Sequence, residues 1–247
     1  VKKSKNTDEG RSVEHLIPQS AVSIVRTNAK GDFHVCRGCN TEKSKIDGLF
    51  GLISRINTSG SGGEEAISKL AKMFGKRNKA VLNMMESGNE HPEGVEVKLP
   101  FKGEDIYKYG VFLTKGEYFK RHESILDLKK KIVLVTWGGP NFVKELLLRY
   151  GAEHGTNPFE DLTLNDSVEN INEECFIIVS KSGTEFSFIF NQTYLLLTKV
   201  VDYTEDNKIE RRENNKKKFY GFISTGNFNE STAKVYTDYT LFTANQS

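Results

Sequence analysis

The sequence predicts an α+β chain, on three observations. Apolar residues recur at helical spacing in residues 41–53 and 64–85. Short alternating or β-branched runs dominate after residue 95. A turn-rich break at Ser87–Gly94 separates the two styles. The 247 residues suffice for one large or two small domains. At 37% hydrophobic residues and a mean hydropathy of −0.49, the core must coexist with extensive loops and charged surface.

The first 57 residues hold ten Lys or Arg against six Asp or Glu. A short strand ends near His15, a loop passes Asn28 and Gly31, and a second strand covers Asp32–Val35. A helix follows from about Thr41, because Asn40 or Thr41 can cap it and Ile46, Leu49, Phe50 and Ile53 share one face. Thr58–Gly63 reads as a linker. Glu64 and Glu65 open a second helix with Ile67, Leu70, Ala71 and Phe74 on its apolar face, continued by Val81, Leu82 and Met85. Lys69, Lys72, Lys76, Arg77 and Lys79 form the polar face, either a solvated surface or a set of DNA-backbone contacts.

Pro92 marks a turn-rich break. Beyond it Val95–Leu99 alternates, and Ile106–Phe119 is rich in aromatics. Lys131–Trp137 is a strand, and Phe142–Tyr150 a short helix. Glu153–Glu174 carries seven carboxylates and no Lys or Arg. Cys175–Val179, Glu185–Phe190 and Tyr194–Val200 read as consecutive antiparallel strands. Thr204–Lys218 reads as a charged exposed loop, and the tail alternates again. The expected division is 1–57, 58–94, 95–200 and 201–247.

Bulk properties exclude several classes. The net charge is only +2, so any nucleic-acid contact must come from local clusters. No stretch approaches the roughly 18 apolar residues of a membrane-spanning helix, so no membrane partner is expected. The first residues lack the apolar core of a signal peptide. Three cysteines, Cys36, Cys39 and Cys175, argue against a disulfide framework and for a reducing, cytoplasmic setting. Nothing in the sequence sets the oligomeric state.

Two constellations carry chemistry. The first is Glu14-His15-Leu16-Ile17-Pro18 followed by Cys36-Arg37-Gly38-Cys39-Asn40 and Lys43. Phosphodiester hydrolysis needs an activated water, a general base and positive charge on the phosphate. A histidine suits the base because its unperturbed pKa lies near neutrality. A carboxylate and an amide oxygen suit a hard divalent cation.

This combination resembles the HNH (ββα-metal) endonuclease family. The resemblance implies an N-terminal ββα-metal motif with helices, followed by a mainly antiparallel β-rich accessory region. It implies a metal-dependent hydrolase, a DNA endonuclease, with His15 as base and Asn40 beside it in the catalytic set. Glu14 and Asn40 would hold Mg or Mn, with Asp47 in support. DNA is the expected partner. Cys36 and Cys39 are candidate structural zinc ligands, but no second Cys pair precedes Glu14. His34 and Cys175 are the remaining ligand types, neither at motif spacing. The family's central Asn has no clear counterpart: Gly31 or Asp32 falls near its place, and Asn28 is a weaker substitute. The alternative is a non-catalytic nucleic-acid-binding module.

The second constellation is Phe219–Tyr239, with Ser224-Thr225-Gly226-Asn227-Phe228-Asn229, Thr232-Ala233 and Tyr236-Thr237-Asp238. Gly226 lets the backbone approach an anion, and Asn227, Thr225 and Thr232 can donate to phosphate oxygens. Residues 219–245 resemble polyphosphate kinase. In that family a His-Ser/Ala-Lys element precedes this run and its histidine is phosphorylated, whereas Val200–Lys218 contains no histidine. The resemblance therefore implies a kinase-related fragment, with Gly226, Asn227 and Thr232 as its phosphate contacts.

Overall fold

The computed structural model describes residues 10–22, 26–27, 30–56, 58, 61–91, 94–155, 168–203, 210–213, 216–221 and 241–245. The architecture is α+β with antiparallel sheets. Strand β1 (Arg11–Glu14) pairs antiparallel with β2 (Phe33–Cys36), in the register Arg11 with Cys36 and Glu14 with Phe33. Helix α1 (Arg37–Arg55) leaves β2 directly. Strand, loop, strand and helix thus follow in the expected order. The helix begins four residues earlier than its apolar spacing suggested, because Cys36 caps it.

The loop between β1 and β2 is closed by two details. Gly31 has φ +86°, and a Cβ there would stand 2.2 Å from Val13 Cγ1 and 2.9 Å from the Glu14 carbonyl. Only glycine fits that backbone and that space. Asp32 N–H donates to the Glu14 carbonyl at 2.8 Å, and Asp32 Oδ2 accepts from Leu16 N–H at 2.9 Å.

Helix α2 (Ser61–Gly75) starts inside the stretch expected to be linker, and α3 (Lys79–Glu86) follows with Asn78 as its N-cap. Asn78 Oδ1 accepts from the N–H groups of Ala80 and Val81. Short strands β3 (Asn89–His91) and β4 (Gly94–Glu96) pair with each other.

Residues 103–122 differ most from expectation. The aromatic-rich stretch counted with the β-rich region is a 20-residue helix, α4 (Gly103–His122). Its buried positions Ile106, Tyr109, Gly110, Leu113 and Glu117 recur at three- and four-residue spacing. Asp105 Oδ2 accepts the Lys102 N–H at 2.9 Å and fixes its start. Gly110 sits where α4 crosses β5 (Lys131–Gly138), and a Cβ would come 2.7 Å from Val135 Cγ1.

After α5 (Pro140–His154) come β6 (Val168–Asn170), β7 (Phe176–Val179), β8 (Glu185–Phe190) and β9 (Tyr194–Asp202). Strands β10 (Glu210–Glu213), β11 (Lys216–Gly221) and β12 (Leu241–Asn245) complete the described elements. Two of them fall in or across the stretch expected to be a charged loop, 204–218. Eight strands form one sheet, in the order β10-β11-β12-β5-β9-β8-β7-β6.

Period-two alternation assigns the sheet's two faces. Ile177, Val179, Phe186, Phe188, Phe190, Tyr194, Leu196 and Val200 point into the larger core with α1 and α4. Phe176, Ile189 and Leu195 point the other way, onto Val143 of α5. Phe50 of α1 centres the larger core. Its ring lies 4.8 Å from Phe190, 5.3 Å from Trp137, and 5.6 Å from both Tyr109 and Tyr194, centroid to centroid. Burying one such side chain is worth about 1.5–3 kcal/mol, so this contact fixes the ββα segment on the sheet. No described helix is long and apolar enough to cross a membrane.

Candidate functional site

Glu14 ends β1 and is buried, and its carboxylate is taken up by a lysine. Lys43 Nζ lies 2.8 Å from Glu14 Oε1 and 2.8 Å from Asp47 Oδ2, and donates to the His15 carbonyl at 2.8 Å. Its hydrogen bonds go to the His15 carbonyl and to both Asp47 oxygens, and its contact with Glu14 is one of charge. Tyr109 from α4 donates its hydroxyl to Asp47 Oδ1 at 2.8 Å, and Lys43 Nζ stands 5.7 Å from the Tyr109 ring centroid. Lys43 is 3% exposed, so this is an interior ion cluster.

Burial dominates its electrostatics. It pushes the Glu14 carboxyl above its ordinary value, with Lys43 opposing. Asp47 is raised for the same reason, with Lys43 and the Tyr109 hydroxyl opposing. The Tyr109 phenol is raised well above its usual value by burial and then by Asp47. His15 moves down, chiefly through burial, then through Arg26 and Lys43, with Asp32 opposing. A lowered histidine is neutral at pH 7. Its Nδ1 is buried with no hydrogen-bond partner among the described residues.

Asn40 lies one turn into α1. Its Nδ2 donates to Ser12 Oγ at 2.9 Å and to the Val13 carbonyl at 3.2 Å, which ties the helix to β1. Cys36 and Cys39 are exposed, and Cys36 Sγ accepts the Cys39 N–H at 3.1 Å. Cys175 is buried far along the chain, its Sγ 3.8 Å from the Ala21 carbonyl and 3.6 Å from Asn191 Oδ1.

Glu14, His15 and Asn40 are thus adjacent in space, with Glu14 and the Asn40 amide engaged in holding β1, α1 and α4 together and His15 Nδ1 without a partner among the described residues. Among the described residues, no three His, Cys, Asp or Glu side chains are grouped to hold a metal ion. Glu14, the acidic ligand expected for Mg or Mn, faces an ammonium instead. The donor set around Glu14 does not fit a divalent cation, and among the described residues no further zinc ligand stands beside Cys36 and Cys39.

A second ion cluster, absent from the sequence reading, braces the same unit. Lys120 Nζ of α4 lies 2.9 Å from Glu117 Oε1, 2.6 Å from Glu169 Oε2 and 3.2 Å from Asp32 Oδ1. Asp32 therefore orients the loop at Leu16 and also anchors it to α4. The i,i+3 spacing of Glu117 and Lys120, and the i,i+4 spacing of Lys43 and Asp47, were the signals available for these clusters.

At the other end, β12 pairs with β5 (Leu241 with Thr136, Phe242 with Val135), while β9 pairs along the whole opposite side of β5. The hairpin β10–β11 places Arg211 opposite Lys218 and Arg212 opposite Lys217. Gly226, Asn227 and Thr232 lie outside the described residues.

Comparison with known proteins bears on this end. Residues 198–247 match the family model of polyphosphate kinase C-terminal domain 1. Polyphosphate kinase of Prosthecochloris aestuarii is 55% identical over 38 residues, 15% of this chain and 5% of that protein. Those of Escherichia coli K12 and Yersinia pestis are each 58% identical over 36 residues, again 15% and 5%. The chain therefore spans about one-twentieth of the length of the curated relatives it matches. No solved structure matches it. The expected hydrolase, a metal-binding and DNA-binding endonuclease of HNH type, is corrected by these findings. The likeness found is to a kinase, a transferase, no comparison identifies an HNH motif, and the described residues hold no metal-binding group.

Proposed function

We propose that this chain is a polyphosphate-kinase-related fragment that binds condensed phosphate through its C-terminal stretch without transferring phosphoryl groups. The observation that carries this reading is the match of residues 198–247 to the kinase's C-terminal domain. The resemblance implies transfer through a phosphorylated histidine, and residues 198–247 contain no histidine. Binding and transfer therefore part company here.

The β10–β11 register supports an anionic ligand. Like charges directly opposite on paired strands destabilise each other. Arg211 opposite Lys218 and Arg212 opposite Lys217 are two such pairs in succession. Successive pairs along a ladder lie on opposite faces, so a chain of phosphates along one face neutralises one of the two. Asn227 and Thr232 would add directional donors, and Gly226 close backbone approach.

The test is fluorescence polarisation with end-labelled polyphosphate, with duplex DNA at equal phosphate concentration as competitor. Polyphosphate should bind more tightly than DNA, Asn227→Ala should weaken it about tenfold, and Arg211→Ser with Arg212→Ser should flatten its salt dependence. Equal displacement by DNA, or no effect of Asn227→Ala, defeats the proposal. Formation of ATP from polyphosphate and ADP would overturn the claim that transfer is absent.

A further inference from the structure

Cys36 and Cys39 are exposed free thiols, and neither packs in either core. The phosphate-binding reading does not use them. They stand at a defined place: Cys36 is the last residue of β2 and the N-cap of α1, and Cys39 lies in the first helical turn. Cys36 Sγ already accepts the Cys39 N–H at 3.1 Å, one of the otherwise unpaired first-turn donors of α1. The surroundings are positive. Arg37 follows Cys36, and Lys115 of α4 contributes positive charge at Cys39. The neighbouring Cys36, together with burial, holds the Cys39 thiol above its ordinary value.

Cys36 is the extended N-cap and Cys39 the third helical residue, joined by the Cys39 N–H on Cys36 Sγ at 3.1 Å, and a disulfide between them needs their Cβ atoms about 3.5–4.5 Å apart. Cys175 is the built-in contrast. It is buried, and its thiol is pushed up to about 12 by that burial.

We propose that Cys36 and Cys39 form a dithiol redox site that exchanges with small anionic disulfides of the glutathione type. Cys36 Sγ attacks one sulfur of the external disulfide and forms a mixed disulfide, releasing one small thiol. Cys39 then loses its proton and attacks Cys36 Sγ, closing the Cys36–Cys39 bond and releasing the second small thiol. Two electrons and two protons pass from the pair to the external disulfide, which is the oxidant. The positive surroundings at Arg37 and Lys115 favour an anionic partner.

The full chain is equilibrated in mixtures of oxidised and reduced glutathione, quenched with an alkylating reagent and read by mass spectrometry. The wild type should show one reversible Cys36–Cys39 disulfide, with Cys175 alkylated only after denaturation. Cys39→Ser should accumulate a glutathione adduct on Cys36, and Cys36→Ser should form adducts at least about tenfold more slowly. Circular dichroism matching the wild type establishes that the variants fold, and the wild-type measurement stands without them. Thiols that stay reduced in oxidised glutathione alone overturn the proposal. So do equal adduct rates in the two variants, or stoichiometric bound zinc that shields both thiols.

Discussion

Residues 13–53 carry a residue pattern that no comparison supports as a family motif, whereas residues 198–247 match the C-terminal domain of polyphosphate kinase. The N-terminal unit has its strand, loop, strand and helix in order, and its marked residues lie side by side. No comparison identifies it, and Lys43 occupies the carboxylate on which a metal would depend. The C-terminal stretch has a family match but no histidine with which to perform the family's reaction. One residue marks each: the Lys43 ammonium on Glu14, and the absence of histidine from residues 198–247.

The sharpest way to break this contrast is Lys43→Met. If the N-terminal residues serve mainly as a brace, removing the ammonium leaves Glu14 and Asp47 buried without a cation. Loss of one partner of a buried ion pair costs about 3–5 kcal/mol. Urea unfolding followed by tryptophan fluorescence should report that loss, because Trp137 lies 5.3 Å from Phe50 of α1. Adding Glu14→Gln should restore part of it. A Lys43→Met chain as stable as the wild type would show that the cluster is no brace and would reopen Glu14 for another role.

Much of this was legible in the sequence, and the failures have physical causes. The sheet strands β5, β7, β8 and β9 were readable because both their faces are buried and their residues are β-branched or aromatic. Helix α4 was hidden by Tyr107, Tyr109, Phe112, Tyr118 and Phe119, residue types that favour strands, and by glycines at 110 and 116. Both glycines are close-approach positions: Gly110 faces Val135, and Gly116 faces Leu16 and Phe33. Tertiary packing therefore outweighed local propensity. Strands β10 and β11 were hidden by their charge. Glu14, His15 and Asn40 lie close together, but no spacing rule states which way the Lys43 ammonium, one helical turn after Asn40, will point. Lys43 meets Glu14 only because α1 lies against the β1–β2 pair.

Gly31→Ala probes the same unit through its backbone. The residue has φ +86°, and an added methyl meets Val13 Cγ1 and the Glu14 carbonyl. A non-glycine residue in such a conformation costs about 1–3 kcal/mol. The urea midpoint should fall accordingly, and polyphosphate retention by the folded protein should be unchanged. If the variant loses both together, the two ends are coupled through β5 and do not act separately.

The smallest effect is electrostatic, and its sign discriminates. Glu117 is buried, and its carboxyl is raised above the ordinary value of 4.5, first by burial, with Lys120 opposing. A group whose folded value is raised takes up its proton first in the folded state. Its stabilising contribution is full below the unfolded value and is lost as pH rises through the folded one. Glu117→Gln does not titrate. Urea midpoints of wild type and variant, compared from about pH 7 to about pH 5, should therefore shift progressively in favour of the wild type on acidification. A shift the other way would mean that Lys120 holds the carboxylate more strongly than burial opposes it. The Asp32–Lys120–Glu169 brace would then derive its strength from an ionised Glu117, and the N-terminal unit would be fastened by charge at both of its clusters.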